Sequence, residues 1–193
     1  MRSRLAKIKR ETAETHVEAE VNLDGSGRYS IETRYKFMNH MIETLSKHSL
    51  IDIYLKAEGD LRHHIIEDCG ITLGKALNEA LGDRRGIRRF GYALIPMDES
   101  LALAAVDLVK RPKVIVSLNT KLQTIEDIPV SEIIHFIESL GTAMEACIHV
   151  KTLDGFDEHH KVEACFKALA IALRNAVERD ERRLDIASTK GVL

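Results

Sequence analysis

The alternation of apolar and polar residues changes period several times along the chain, and each change predicts a new element. Strands are predicted over 15–23, 28–33 and 50–57, and helices over 37–47 and 62–81. The turn residues 24–27 favour a hairpin between the first two strands. This order of strands and helices predicts an α+β fold, in which a sheet carries helices on one face.

The second half of the chain repeats this plan. Strands are predicted over 90–96, 101–109, 113–119 and 147–153, and helices over 130–144 and 159–178. No Pro/Gly/Ser-rich linker separates the halves. We therefore predict two modules, 1–84 and 85–193, that pack as one unit, with an irregular tail after residue 180.

Composition narrows the class of protein. The 193 residues are 45% hydrophobic and 30% charged with a net charge of −2, which is typical of a soluble globular protein and gives no field for nucleic acid or acidic membranes. No apolar run reaches the roughly 20 residues that span a bilayer, and residues 1–10 lack the apolar core of a secretory signal. Three cysteines without a C-x-x-C pair favour a reducing cytoplasm. Cys69 and Cys165 fall on repeated apolar stripes, so we expect both to be buried.

Histidine and glutamate recur in a pattern that random scatter would not produce. The motif His-His-x-x-Glu occurs twice, and each copy follows another repeated histidine: His40 precedes His63, His64 and Glu67, and His135 precedes His159, His160 and Glu163. Imidazole and carboxylate groups are ligands of borderline divalent metals. The alternative, that these are surface histidines retained by duplication, explains a lone histidine better than this set.

Helical geometry indicates which of these residues could bind the same metal ion. Residues four apart, such as His63 and Glu67, share a helix face and can chelate one ion. Adjacent histidines point about 100° apart, which suits two ions better than one. Eight ligands would give four per ion and leave positions for substrate or water; manganese, iron and zinc all fit. Spacing does not decide whether one chain or several complete each site.

Basic residues cluster near the module boundary. Arg84, Arg85, Arg88 and Arg89 lie within six residues, and Arg111 and the segment Ser188-Thr189-Lys190 add further cations and hydroxyls. We interpret Arg84 and Arg85 as a solvated basic edge. The other groups suit a phosphate cradle, because guanidinium binds phosphate through two hydrogen bonds.

Several ordered motifs resemble the imidazoleglycerol-phosphate dehydratase family of histidine biosynthesis, from residues 10–15 to 188–191. They are Phe37-Met38-Asn39-His40-Met41, residues 63–70, Arg85-Gly86-Ile87-Arg88-Arg89-Phe90-Gly91, Pro96-Met97-Asp98-Glu99 and residues 159–169. The resemblance implies a duplicated module like domain 2 of ribosomal protein S5. It also implies a homo-oligomer, a cubic 24-mer built from trimers with metal-dependent assembly and active sites between subunits.

The resemblance further implies two manganese ions per active site. One would be held by His40, His64, His159 and Glu163, and the other by His63, Glu67, His135 and His160. The reaction implied is dehydration of D-erythro-imidazole-glycerol phosphate to imidazole-acetol phosphate through a metal-stabilised imidazolate. Glu14 and His48 match substrate-binding positions and are the candidate acid/base groups. Substrate and phosphate contacts would come from Glu14, His40, His48, Arg89, Arg111, Ser188, Thr189 and Lys190.

The sequence departs from the family pattern at Asn39 and Asp157, where Asp and Asn are usual, and in a shortened segment over 59–62 that lacks an acidic pair. None of these departures removes a predicted ligand. Two other functions use the same residues: a dinuclear metallohydrolase for phosphate esters, which would release free phosphate, and a non-catalytic protein whose ions only join subunits.

Overall fold

The computed structural model describes residues 4–193, and its two halves contain the same succession of elements apart from two short additional strands in the second half. The first half contains β1 (Leu5–Glu11), β2 (Thr15–Asn22), β3 (Tyr29–Glu32), α1 (Lys36–Ser49), β4 (Asp52–Gly59) and α2 (Arg62–Leu81). The second contains β5 (Phe90–Met97), β6 (Ser100–Asp107), β7 (Lys113–Ser117), the short β8 (Thr124–Ile125) and β9 (Ile128–Pro129), α3 (Val130–Ala143), β10 (Cys147–Asp154) and α4 (Glu158–Val177).

Each half forms a four-stranded mixed sheet of the same topology. The strand orders are β1-β2-β4-β3 and β5-β6-β10-β7, and only the last strand of each sheet pairs in parallel with its neighbour. The predicted α+β fold with two similar halves is therefore confirmed. The exact boundary between residues 84 and 85 stays a prediction.

The helices of the two halves pack against each other. Alternate residues of β2 and β6 are buried, so one face of each sheet lies against helices, α2 on the first sheet and α4 on the second. Across the halves, α1 packs on α4 and α2 packs on α3. One hydrophobic core runs through these contacts and includes Cys69 and Cys165, which are both fully buried as expected. Burial raises the pKa of the Cys165 thiol to about 11, which keeps it protonated and unreactive.

The predicted hairpin is wrong. The strands over 15–22 and 29–32 both form, but β4 lies between them and pairs with each. Local turn chemistry at residues 24–27 made the hairpin plausible, whereas β4 pairs through its backbone with β2 on one edge and with β3 on the other. The sequence prediction also missed β1, whose residues Leu5 to Glu11 pair antiparallel with β2.

Arg84 does not lie on a solvated edge, so that interpretation is wrong. Its side chain is among the largest that are fully buried, and its guanidinium donates to the carbonyl oxygens of Met144 (2.6 Å) and Glu145 (2.9 Å) and to Asn78 Oδ1 (2.7 Å). Arg84 thus satisfies backbone carbonyls at the end of α3, which a helix leaves without partners. Arg85 is exposed, as predicted. Among residues 4–193, no helix has the length and hydropathy that crossing a membrane requires.

Candidate active site

The packing of α1 on α4 assembles a first cluster of possible metal ligands, His40, His159 and Glu163. Glu163 Oε2 lies 3.3 Å from His40 Nε2 and 3.2 Å from His159 Nε2. His159 Nδ1 lies 3.1 Å from Glu126 Oε1, so this carboxylate holds the far side of the ring. Both carboxylate oxygens of Glu163 have partners, since its Oε1 lies 3.0 Å from Lys167 Nζ.

The packing of α2 on α3 assembles the equivalent second cluster, His63, Glu67 and His135. The two Glu67 oxygens lie 3.7 Å from His63 Nε2 and 3.5 Å from His135 Nε2. The rings of His63 and His135 are stacked, with centroids 5.1 Å apart. Each cluster therefore combines one histidine from one half with a histidine and a glutamate from the other half.

Both clusters fit a divalent cation. In each one, three donor atoms lie within 4.8 Å of one another, which is compatible with bonds of about 2.0–2.2 Å to a central ion. His135 Nε2 is buried without any hydrogen-bond partner among the described residues, although buried polar atoms are normally satisfied. An ion between His135 and Glu67 would satisfy it. Imidazole and carboxylate donors suit manganese, iron or zinc.

His64 and His160 lie outside both clusters. Each directs Nδ1 to a carboxylate of its own half: His64 to Asp60 Oδ1 at 2.8 Å, and His160 to Glu99 Oε2 at 2.9 Å. These carboxylates raise the pKa of both imidazoles. The structure thus brings together three of the four residues in each predicted ligand set, and the fourth points elsewhere.

The predicted phosphate-binding residues meet in one cleft of about 740 Å³ beside the C-terminal tail. Its lining includes Arg89, Arg111, Ser188, Thr189 and Lys190. Arg89 also binds both oxygens of Asp107 (2.6 and 2.9 Å) and donates to the Ala187 carbonyl, so it ties the tail to the second sheet. Enough N–H groups remain on Arg89 and its neighbours to bind a phosphate.

The cleft and the first cluster lie at opposite ends of α4. The Arg89 amide donates to the carbonyl of Ala176 near the end of α4, whereas Glu163 lies in the second turn of that helix. These 13 residues correspond to about 20 Å along the axis. About 20 Å along the helix axis therefore separates Arg89, at one side of the cleft, from the first cluster.

The two candidate acid/base groups lie near different predicted ligands, Glu14 near His64 and His48 near Glu163. Glu14 occupies the turn between β1 and β2, and its exposed carboxylate lies 3.6 Å from His64 Nδ1. His48 lies near the end of α1, where partial burial lowers its pKa and Lys167 lowers it further. A neutral imidazole at this position can accept a proton.

Two departures from the family pattern have local structural roles. Asn39 exchanges hydrogen bonds with Thr33 in the segment that leads into α1. Asp157 caps α4, since its side chain accepts from the amides of His159 (2.8 Å) and His160 (3.1 Å). Sequence reasoning missed Asp60, Glu99, Glu126 and Lys167. Glu99 and Glu126 lie in turns that only the folded chain brings to their histidines, whereas the four-residue spacing of Glu163 and Lys167 on a predicted helix could have indicated that pair.

The fold and the site define a class of protein: a duplicated α+β chain with two symmetry-related His/Glu groups that can hold metal ions and an arginine-lined cleft. The family model of imidazoleglycerol-phosphate dehydratase matches residues 33–173. The chain therefore belongs to the imidazoleglycerol-phosphate dehydratase family, hydro-lyases that act on a small-molecule substrate in histidine biosynthesis.

Curated relatives and solved structures agree with this family. The chain is 46% identical to imidazoleglycerol-phosphate dehydratase of Chloroherpeton thalassium over the whole of both chains, and 47% identical to that of Cereibacter sphaeroides over 98% of this chain and all of the relative. It superposes with a TM-score of 0.83 on the Staphylococcus aureus enzyme (28% identity, 91% of this chain, 99% of that one). A TM-score of 0.83 is also found for the Pyrococcus furiosus enzyme in complex with (S)-C348 (37% identity, 96% and 100%).

Proposed function

We propose that this chain is a manganese-dependent lyase that converts D-erythro-imidazole-glycerol phosphate to imidazole-acetol phosphate in the cytoplasm. The observation that carries the proposal is the pair of three-donor clusters, one of them with an unsatisfied buried imidazole nitrogen on His135. The cleft that contains Arg89 and Arg111 supports a phosphorylated substrate.

Each ion would take its fourth protein ligand from another copy of the chain. His64 of one copy would join His40, His159 and Glu163 of a second copy, and His160 would likewise join His63, Glu67 and His135. This arrangement is supported by the position of His64 and His160, which are partly exposed outside the clusters of their own chain. A shared ion would also link assembly to metal, as expected for a cubic 24-mer built from trimers.

The separation of the cleft from the first cluster supports active sites between copies, because a small substrate does not span about 20 Å. The imidazole ring of the substrate would lie at the ions of one chain, while its phosphate would lie in the cleft of another, against Arg89, Arg111, Ser188, Thr189 and Lys190. When bound, the ions supply positive charge that lowers the pKa of the substrate's ring N–H and favours the imidazolate.

Side chains of the protein would move the protons. Dehydration removes a hydroxyl from one carbon and a hydrogen from the neighbouring carbon, so a group must accept the carbon proton and another proton must leave with the hydroxyl as water. Glu14 is the candidate acid/base, since its carboxylate is 57% exposed and has room for substrate. His48, whose pKa is lowered by partial burial and by Lys167, is the candidate proton shuttle. The enol that forms becomes the ketone of the product.

The proposal is tested with metal-depleted protein, before and after Mn²⁺ is added, by assaying product and particle mass together. We expect Mn²⁺ to restore both imidazole-acetol phosphate formation and the large particle. Activity that is indifferent to metal contradicts the proposal. Release of free phosphate instead would identify a metallohydrolase, and assembly without any turnover would identify a non-catalytic metal-dependent scaffold.

Glu14→Gln tests the acid/base assignment. We expect a loss of kcat of about 100-fold or more, because acid/base groups typically contribute that much. Glu11→Gln is the matched control, since Glu11 is an exposed carboxylate three residues away that lies by His16. Equal turnover by Glu14→Gln and wild type would show that the acid/base assignment is wrong.

A further inference from the structure

In both halves, the histidine outside the cluster directs its Nδ1 at a carboxylate, but the carboxylate comes from a different position in each half. A carboxylate can only accept a hydrogen bond, so His64 and His160 must carry their hydrogen on Nδ1, towards Asp60 and Glu99. In this tautomer Nε2 presents a lone pair. The same arrangement holds His159 of the first cluster, through Glu126.

Glu99 is itself firmly held. Its Oε1 accepts from the amides of Asp157 (2.9 Å) and Phe156 (3.3 Å) and from the hydroxyl of Ser100 (2.9 Å), which leaves Oε2 for His160. These bonds lower the pKa of Glu99, with the bond to His160 contributing most. Glu99 is therefore a rigid support rather than a mobile surface carboxylate.

The duplication explains why the first half uses another residue. Glu99 immediately precedes β6 as Glu14 immediately precedes β2, so these two glutamates occupy equivalent turns. Glu14, however, remains 3.6 Å from His64 Nδ1, whereas Asp60 lies at 2.8 Å. The residue equivalent to Asp60 in the second half is Phe156, which has no carboxylate. Asp60 thus takes the supporting role in the first half and leaves Glu14 available.

We infer that Asp60 and Glu99 are positioning residues that fix His64 and His160 in the tautomer and orientation needed to bind an ion shared with a neighbouring copy. The inference rests on the proposed function, because it assigns these histidines as intermolecular ligands. A carboxylate on the second nitrogen is the usual way in which proteins orient a metal-binding imidazole and raise its basicity. The nearby Asp98, 3.8 Å from His160 Nε2, is 75% exposed and lacks this fixed geometry.

The experiment measures Mn²⁺ affinity by calorimetry, the Mn²⁺ electron paramagnetic resonance spectrum and particle mass for Glu99→Ala, Glu99→Gln and Asp60→Ala. We expect Mn²⁺ binding to weaken 10- to 100-fold in the alanine variants, with an altered spectrum and a smaller particle. Glu99→Gln is expected to recover part of the affinity, because the amide oxygen still accepts from Nδ1. Glu58→Ala is the matched control, since Glu58 is an exposed carboxylate near Asp60 that pairs with Lys56.

A double-variant comparison separates positioning from general loop damage. If Glu99 acts through His160, Glu99→Ala has no further effect on Mn²⁺ affinity once His160→Ala is present. Wild-type affinity and spectrum in both alanine variants would overturn the inference, as would a full additional loss in the His160→Ala background. Wild-type protein that fails to bind Mn²⁺ would instead overturn the proposed function, so the two failures are distinguishable.

Discussion

The two ligand clusters have the same types of donor, two histidines and a glutamate, but differ in the charge of a neighbouring side chain. In the first, Glu163 is 11% exposed and paired with Lys167, and in the second, Glu67 is 37% exposed while Ile71 occupies the position equivalent to the lysine. Burial alone would raise the pKa of Glu163, but Lys167 and His40 outweigh it and lower that pKa. Duplication has therefore preserved the ligands while one neighbouring residue made the sites electrostatically unequal.

The backbones of the two halves differ as well. Gly91 on β5 occupies the position of Ala6 on β1, because each pairs with the next-to-last residue of the neighbouring strand, Val106 of β6 and Val21 of β2. A methyl group on Gly91 would lie 1.9 Å from the Ala172 carbonyl oxygen of α4. Helix α4 thus approaches its sheet more closely than an alanine would permit, whereas the first half accommodates Ala6.

The largest predicted effect tests whether α4 lies closer to its sheet than the corresponding helix of the first half does. Gly91→Ala should lower the free energy of unfolding by about 3 kcal/mol or more, because the clash involves backbone atoms that cannot rotate away. The reciprocal Ala6→Gly should cost only about 1 kcal/mol, from backbone entropy and one lost methyl contact. Urea unfolding of metal-depleted protein measures both. Equal effects would mean that the two helix–sheet contacts are equivalent.

An intermediate effect is expected from exchanging the charge beside the clusters. Lys167→Met should tighten Mn²⁺ binding at the first cluster about 10-fold, since a cation no longer repels the ion and both Glu163 oxygens become available. Ile71→Lys should weaken the second cluster about 10-fold for the opposite reason. Calorimetry should show two unequal sites in the wild type and more similar ones in either variant. Lys75→Met, an exposed lysine one turn beyond Ile71, is the control. A wild-type isotherm in both variants would refute the electrostatic comparison.

The smallest effect concerns how the two ligand helices begin. Asp157→Ala should destabilise metal-depleted protein by about 1 kcal/mol, because α4 loses its N-cap. The corresponding position before α2 is Leu61, which is exposed and makes no side-chain cap, so Leu61→Ala should change stability by less than about 0.5 kcal/mol. Urea unfolding checks the pair, and a loss at Leu61 as large as that at Asp157 would contradict the assignment.

Periodicity predicted most of the elements, although not β1, β8 or β9, and it did not predict their pairing. The apolar stripe of residues 62–81 matches α2 from end to end, because one continuous helix face is buried. Strand order depends instead on which strand edges pair after long connections, and the turn at residues 24–27 does not encode the insertion of β4. The burial of Arg84 likewise follows from the folded chain, since two of its three hydrogen-bond partners are carbonyl groups 60 and 61 residues away.

Part of the site was also accessible from sequence. Helical spacing correctly placed His63 beside Glu67 and His159 beside Glu163, and separated each from the adjacent histidine. Glu99, which holds His160, could not be recognised in this way, because it belongs to a turn 61 residues from its histidine. Asp60 lies only four residues before His64, but it precedes the start of α2, so helical spacing did not apply to it. The ligand sets themselves, completed between copies, remain predictions.

The crossing of helices between the halves has a consequence for the origin of the chain. Since α1 meets α4 and α2 meets α3, a half on its own would possess every donor type yet assemble no cluster. Two identical halves docked about a two-fold axis would assemble both clusters at once. The present chain is thus equivalent to a fused homodimer. Fusion freed the two copies of each position to diverge, so that Lys167 faces one cluster and Ile71 stands beside the other.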